Sequence, residues 1–386
     1  MEKFIMDDMP KVYFGEGVLN EAFTYELKSI GDNVMIAYGG GSIKRTGVYD
    51  KVISLLKKAN KNITEFSGIM PNPTLKKVQE GAELVKNNQI DFILAVGGGS
   101  VIDCCKMISV QAKTDKDIWV MQFIDKNMPT DFVPMGVVLT ASGTGSEMNN
   151  GAVITHEELK IKTGMRGALA KFAILDPTYT LTVPMKQVIS GAFDTLSHAM
   201  ETYFGKPLND NVSDEINEAI MCNTIRNIRK VIENPKNLEA RSELMWDSAM
   251  AENGILKLGK TGDFQAHFIE HQIGAFTDCN HGQGLAAIHP NMYKHIYKNA
   301  VNKFARFAQV VWKINDESLS QKELALAGIN ALAEFIQEIG LPTSLTEMGI
   351  TDKNMLKEIA DSCTISIGCA KQLTHEEIYT ILIECL

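Results

Sequence analysis

Apolar residues in the first half of the chain come in short runs that end in glycine. "NVMIAYGGGS" (33–42), "DFILAVGGGS" (91–100) and "FVPMGVVLTASGTGSE" (132–147) each read as a buried strand entering a glycine-rich turn. "NITEFSGI" (62–69) adds another strand, and "PNPT" (71–74) a rigid turn. "TLKKVQEGAELVKNN" and "VIDCCKMISVQAK" follow as helices. "AVIT" (152–155) and "FAILDP" (172–177) read as the last strands. Strands that are apolar throughout and alternate with helices predict a parallel sheet covered on its faces.

The rhythm changes after Thr182. "TVPMKQVISGAFDTLSHAMETYF" places Thr182 and Pro184 at a helix start, with apolar residues three and four apart behind them. "SDEINEAIMCNTIRNIRKVIEN" (213–234) opens on a Ser cap and early acids, and "QKELALAGINALAEFIQEIG" (321–340) ends in glycine as helices do. The pattern therefore predicts an α/β N-terminal domain with a parallel, Rossmann-like sheet over 1–180 and an all-α domain over 181–386.

Bulk properties narrow the class. A chain of 386 residues with 45% hydrophobic and 22% charged residues can bury large cores and matches soluble globular composition. A net charge of −9 offers no basic field for nucleic acid. No apolar run reaches membrane-spanning length, and the start "MEKFIMDDMPKVYFG" has no signal-peptide pattern, so a cytoplasmic location is expected. Seven scattered cysteines without a C-x-x-C pair suit neither a disulfide framework nor a zinc knuckle.

The glycine junctions at 39–42, 97–100 and 142–146 bear on chemistry. Glycine at the carboxyl end of a parallel strand lets the backbone approach a phosphate, and the next helix presents free N–H groups to it. One such turn is weak; three on one predicted edge point to a nucleotide. "GQGLAA" (282–287) matches the G-x-G-x-x-A fingerprint, but no strand precedes it, so it reads as helix packing.

The second cluster lies in the helical half. Asp194 and His198 stand four apart, which puts a carboxylate and an imidazole on one helix face. "HFIEHQIGAFTDCNH" adds His267, His271 and His281. A lone histidine is usually a hydrogen-bonded core or surface group. Asp194, His198, His267 and His281 together make a three-nitrogen, one-oxygen set that suits Fe²⁺ or Zn²⁺. Spacing also allows His271 as a ligand in place of His281. His289 and His295 read as structural or surface residues.

At this point the chain resembles the iron-containing (group III) alcohol dehydrogenases, in the branch of NADPH-dependent butanol dehydrogenases and broad-range aldehyde reductases. "GGGSIKRTGVYD" (39–50), "PNPT" (71–74), "AVGGGSVID" (95–103), "TASGTGSEMNNGAVIT" (140–155), "FAILDP" (172–177), "GAFDTLSHAMETY" (191–203) and the His267–His281 segment carry the likeness. The resemblance implies a cleft between the two domains and the same four metal ligands. It implies that His271 sits near the nicotinamide and relays a proton. It further implies cofactor contacts from Gly98, Gly99, Ser100 and Asp103 at the pyrophosphate, from Thr140, Ser142 and Thr144, from Lys162, and from Asn72. A homodimer using the N-terminal segment as an added strand is also implied.

The expected reaction is hydride transfer between a nicotinamide and a short-chain alcohol or aldehyde such as butanol or butanal, with the metal as Lewis acid. Gly39, Gly40, Gly41 and Ser42 leave room at the end of the first glycine strand, where an NAD enzyme usually carries an acid, and Lys44 and Arg45 follow. That favours NADP(H) over NAD(H). Met148, Asn149, Asn150, Phe264 and Phe268 suggest a mixed, mostly apolar substrate pocket. Two other readings fit parts of the pattern. One is a carbon–oxygen lyase of the dehydroquinate synthase type, which would need several clustered cations that the sequence does not show; a phosphorylated substrate is likewise not expected, with the lysines of "GILKLGKTG" (254–262) as the one stretch against that. The other is a nucleotide-binding module without catalysis.

Overall fold

A computed structural model describes residues 9–386. The first eight residues of the N-terminal segment, expected to help form a dimer strand, lie outside the described residues. The chain divides into two compact units, one ending at Pro184 and the other beginning at Met185.

The first unit holds eight strands: β1 (Lys11–Phe14), β2 (Asn33–Ala37), β3 (Asn62–Phe66), β4 (Phe92–Gly97), β5 (Met135–Leu139), β6 (Gly151–His156), β7 (Ile161–Arg166) and β8 (Phe172–Leu175). Its helices are α1 (Leu19–Glu26), α2 (Ser42–Arg45), α3 (Val48–Lys58), α4 (Leu75–Asn87), α5 (Gly99–Gln111) and α6 (Ile118–Phe123). Six strands form one sheet in the order β1-β8-β5-β4-β2-β3. Every pairing in it is parallel. The central strands β4 and β5 are buried along their whole length, which is why they read as continuous apolar runs rather than alternating ones. Chain order runs outward from β2 to β3, then returns to β4 and continues the other way to β5 and β8. The switch between β2 and β4 is where such sheets leave a crevice beyond their carboxyl ends.

Two strand expectations change. "AVIT" lies in β6, which pairs antiparallel with β7 in a separate two-stranded sheet. A turn through Lys160, whose φ is 52°, sends the chain straight back; a parallel partner would need a crossover of a dozen residues or more. Lys11–Phe14 pairs with β8 of the same chain, at the end of the sheet.

The second unit is helical: α7 (Met185–Tyr203), α8 (Val212–Glu233), α9 (Leu238–Glu252), α10 (Gln265–Thr277), α11 (His281–Ile296), α12 (Val301–Val310), α13 (Gln321–Glu338), α14 (Lys353–Ser362) and α15 (His375–Glu384). One apolar core joins them, with Phe193, Leu196 and Met200 of α7, Ile269 and Ile273 of α10, and Ile288 and Met292 of α11 at its centre. The cap of α8 is Asn211, whose side chain accepts from the Asp214 N–H, rather than the expected Ser213; the Ser213 hydroxyl donates to the Leu256 carbonyl instead. Among the described residues no helix is long and apolar enough to cross a membrane.

Packing at Gly136 in β5 tests the sheet. A Cβ there would stand 2.4 Å from the ring of Phe172, which is fully buried and stacked on Phe92. Gly136→Ala should cost about 1–3 kcal/mol in urea unfolding, and adding Phe172→Leu should recover part of that loss because the two sites share one space.

Candidate metal centre and nucleotide pocket

Three helices supply the polar cluster. Asp194 and His198 stand one turn apart on α7, His267 and His271 one turn apart on α10, and His281 is the first residue of α11. The one-turn spacing puts each pair on one face. The chain brings the four expected ligands together. Oδ1 of Asp194 lies 3.4 Å from Nε2 of His267, 3.4 Å from Nε2 of His281 and 3.7 Å from Nδ1 of His198. The rings of His198 and His267 stack with centroids 4.4 Å apart.

Asp194, His198 and His267 are buried, and the His281 side chain keeps 25% of its surface exposed. The open side of the cluster is therefore at His281. Asp194 Oδ1, His198 Nδ1 and His267 Nε2 are buried without a hydrogen-bond partner. Buried polar atoms are normally satisfied, so three orphans in one cluster call for a further group; Asp194, His267 and His281 bring their ligand atoms within 4.8 Å of one another, while His198 meets only Asp194, at 3.7 Å. Ligand atoms around a tetrahedral ion with bonds of ~2.1 Å stand about 3.4 Å apart, which matches the two shorter separations. Two neutral donors and a carboxylate oxygen at that spacing fit a divalent transition metal.

Charge gives the same answer. Burial would raise the Asp194 carboxyl, yet the imidazoles of His198 and His281 hold it well below the usual carboxylate range. Burial would lower His267, but the carboxylates of Glu201 and Asp194 push it up to about 10. The two carboxylates thus favour positive charge beside this ring.

His271 is also buried, with its ring 5.6 Å from that of His281 and 6.0 Å from that of His267. It clusters with Glu270 and His281 rather than with Asp194. Geometry thus favours His281 over His271 as the partner of Asp194. His289 is fully buried and bonds Ser197, while His295 pairs with Glu384 at the surface.

Two acids at this centre escape a sequence reading. Glu201 of α7 holds Nδ1 of His267 at 2.5 Å, and Glu270 of α10 holds Nδ1 of His281. Both are fully buried. The signal available was position: Glu201 is three residues past His198, and Glu270 three past His267. "GQG" proves to be part of the same packing. A Cβ on Gly282 would stand 2.2 Å from the Ser190 carbonyl of α7, and one on Gly284 would stand 2.8 Å from Cγ of Glu270.

The nucleotide candidates gather at the sheet. Gly39–Ser42, Gly97–Gly98 and Thr140–Ser142 follow β2, β4 and β5, which are neighbours, so the three glycine junctions share one edge. A cavity of 330 Å³ there is lined by Gly39, Ser42, Arg45, Gly98, Thr140 and Tyr179, among others. Gly98 and Gly99 open α5 at this edge. Gly99 meets Thr144 closely, since a Cβ would lie 2.3 Å from its hydroxyl oxygen. Gly40 and Gly41 sit beside Gly39, Gly41 with φ 91°.

Other expected contacts are placed differently. Both carboxylate oxygens of Asp103 are engaged, one by the Ser146 hydroxyl and the other by the Val153 N–H at 2.9 Å. Asp103 therefore ties the loop after β5 to β6. Asn149 accepts from Lys106 and from the Gly151 N–H. Lys162 is buried on β7 opposite Thr155. Asn72 adopts φ 51° in the Pro-Asn-Pro turn. Ser100 lies in the first turn of α5, and Ser142 in the loop after β5.

Comparison with known proteins gives the family. Residues 10–177 match the family Iron-containing alcohol dehydrogenase, and residues 188–386 match Fe-containing alcohol dehydrogenase family, C-terminal. The chain belongs to the iron-containing alcohol dehydrogenase family. Among its relatives, the probable NADH-dependent butanol dehydrogenase 1 of Bacillus subtilis is 39% identical over 99% of both chains. The NADPH-dependent aldehyde reductase YqhD of Escherichia coli is 33% identical over 95% of both. A crystal structure of an NADH-dependent butanol dehydrogenase A from Thermotoga maritima, 35% identical, superposes with a TM-score of 0.93 over 100% of this chain and 99% of that one. As a member of this family the chain is an alcohol dehydrogenase-type oxidoreductase, and the family implies a divalent metal and a nicotinamide cofactor.

Gly282 offers a direct test of the helix contact beneath the cluster. Gly282→Ala should push α11 away from α7 and carry His281 with it. The expected result is a loss of about 1–3 kcal/mol in unfolding free energy together with weaker metal retention on dialysis. Wild-type metal content at unchanged stability would show that this contact does not set the site.

Proposed function

We propose that the protein is a metal-dependent alcohol dehydrogenase and aldehyde reductase that moves a hydride between NADP(H) and short-chain primary alcohols or aldehydes. The observation that carries this reading is the convergence of Asp194, His198, His267 and His281, the first three buried and each with an orphaned atom, in a chain of this family. Fe²⁺ and Zn²⁺ both suit the donor set. A metal held there would supply Lewis-acid polarisation of the substrate oxygen.

The protein's residues supply position. Phe264, whose ring lies 6.3 Å from that of His198 and 5.4 Å from that of His267, offers an apolar wall for a short alkyl chain. His271, on α10 one turn beyond His267, is assigned to proton delivery. Gly39, Gly40, Gly41, Ser42, Gly98, Gly99, Ser100 and Thr140 are assigned to the dinucleotide, with Ser142, Thr144, Lys162 and Asn72 around it. β1, at the end of the sheet, is the natural strand for pairing two copies in a homodimer.

The NADP(H) preference rests on charge. β2 ends in Ala37-Tyr38-Gly39 with no acid at that turn. Ser42 and Arg45 line the cavity, and Arg45 has no ion-pair partner among the described residues. Lys44 is drawn aside, pairing with Glu65 at 3.3 Å and lying over the rings of Tyr38 and Tyr49. Arg45 is then the cation left to meet a 2′-phosphate.

The lyase reading does not gain support. It needs free cations for an anionic substrate, and Lys257 pairs with Glu252 while Lys260 is buried against Asp214.

Aldehyde-dependent NADPH oxidation on chelator-stripped protein tests the central reading, with butanal as substrate and Fe²⁺ or Zn²⁺ added back separately. Stripping should lower turnover about a hundredfold or more, the effect of losing several kcal/mol of Lewis-acid stabilisation, and one of the two ions should restore it. His267→Ala should lose bound metal and turnover together; full activity in a metal-free preparation would overturn the assignment. For the cofactor, Arg45→Ala should raise KM for NADPH about tenfold and leave NADH little changed, as expected for one charge-assisted hydrogen bond. A wild-type enzyme that strongly prefers NADH would reverse that part alone.

A further inference from the structure

Each imidazole that meets Asp194 through Nε2 is gripped on its other nitrogen by a fully buried carboxylate from a different helix. We propose that Glu201 and Glu270 are positioning residues that set the metal affinity of the centre, a proposal that rests on Asp194, His198, His267 and His281 being the ligands.

Glu201 performs two tasks with one carboxylate. Its Oε1 accepts from Nδ1 of His267 at 2.5 Å and from the Ser197 hydroxyl at 3.0 Å. Its Oε2 accepts from the backbone N–H groups of Ala266 at 2.9 Å and His267 at 3.3 Å. Those N–H groups belong to the first turn of α10, whose own N-cap, Phe264, has φ 51° and offers no capping side chain. A carboxylate from α7 thus caps α10, where the helix dipole favours negative charge. It also fixes the ring of the ligand two residues along. Ser197 in turn lies 2.7 Å from Nε2 of His289, so the acid is backed by a second buried layer.

Glu270 repeats the device one helix further on. It reaches from α10 to Nδ1 of His281 on α11. Its other oxygen faces Cys279 Sγ at 3.7 Å. The room it occupies exists because residue 284 is glycine. Three ligand-bearing helices are therefore stapled in pairs, α7 to α10 by Glu201 and α10 to α11 by Glu270.

Two consequences follow for the ligands. A carboxylate on Nδ1 keeps the proton there and leaves Nε2 as a lone-pair donor pointed at Asp194. It also lends the ring negative charge and raises its basicity. With Asp194, Glu201 and Glu270 ionised and the imidazoles neutral, a divalent ion leaves the set at about −1 rather than +1. The centre is built to hold a dication tightly. His198 differs: its Nδ1 faces Asp194 at 3.7 Å and has no hydrogen-bond partner.

The test replaces charge while keeping shape. Glu201→Gln and Glu270→Gln are each titrated with Zn²⁺ against a chromophoric chelator, and each is loaded with Co²⁺ for its visible ligand-field band. Kd for Zn²⁺ should weaken about 10–100-fold in each variant, and the Co²⁺ band should shift. The metal-free variants should melt below the metal-free wild type, because each amide removes the carboxylate that a buried imidazole faces; the Zn²⁺ affinity and the Co²⁺ band report on the metal apart from that loss. Zn²⁺ affinity within about twofold of wild type in both variants, with an unmoved Co²⁺ band, would overturn the proposal. If Glu201→Gln does not fold, Glu270→Gln decides on the same criteria. A wild-type protein that takes up no Zn²⁺, Fe²⁺ or Co²⁺ would instead refute the ligand assignment beneath it.

Discussion

Three carboxylates, Asp194, Glu201 and Glu270, sit within the apolar core of the helical unit with at most 3% of their surface exposed. Burying a charge costs several kcal/mol unless it is paired and hydrogen-bonded. Imidazoles and backbone N–H groups satisfy part of that demand, and a cation satisfies the rest. Much of the local design serves this one requirement. Gly282 lets α11 close on α7, Gly284 admits Glu270, and the irregular start of α10 at Phe264 leaves N–H groups for Glu201. The surrounding aliphatic and aromatic residues exclude water, which strengthens every electrostatic term inside.

The sheet unit handles the opposite charge by other means. Its cavity at the edge shared by β2, β4 and β5 is built from glycine backbone, small hydroxyl side chains and Arg45 rather than from buried ion pairs. Phosphates carry their own negative charge and are met well by free N–H groups and a helix start. The G-x-G-x-x-G fingerprint is missing, and glycine recurs instead at three separate junctions on neighbouring strands. The price of this arrangement is tight packing behind the edge, seen where Gly97 abuts Val101 and Gly99 abuts Thr144.

What the sequence disclosed, and what it hid, follows from the range of each interaction. Asp194 and His198 were legible because a four-residue spacing is a local fact of helices. The glycine junctions were legible because strand, turn and helix succeed one another along the chain. Glu201 and Glu270 were not, because an acid in a helix is ordinarily solvated, and their partners arrive across separations of 66 and 11 residues. The tie made by Asp103 was hidden for the same reason, since Ser146 and Val153 lie 43 and 50 residues further along the chain. The β6–β7 pair was misjudged because an apolar run does not encode the direction of its neighbour. Only the short return through Lys160 does so.

The placement of lysines separates the reactions this architecture could run. A lyase acting on an anionic substrate would spend lysines as free binding charges. Here Lys260 and Lys303 converge on Asp214, which is fully buried, and Lys303 lies 4.1 Å from the centroid of the Tyr203 ring. Lys257 is bound to Glu252 and lies over Phe264. These cations hold the helices together and leave an apolar wall, not an anion trap, beside the imidazoles. In the sheet unit, Glu65 likewise consumes Lys44 with help from the hydroxyls of Tyr38 and Tyr49. Lys44 is thereby withdrawn, while Arg45, which lines the cavity, has no ion-pair partner among the described residues. That distribution suits a neutral aldehyde or alcohol on the side of the imidazoles.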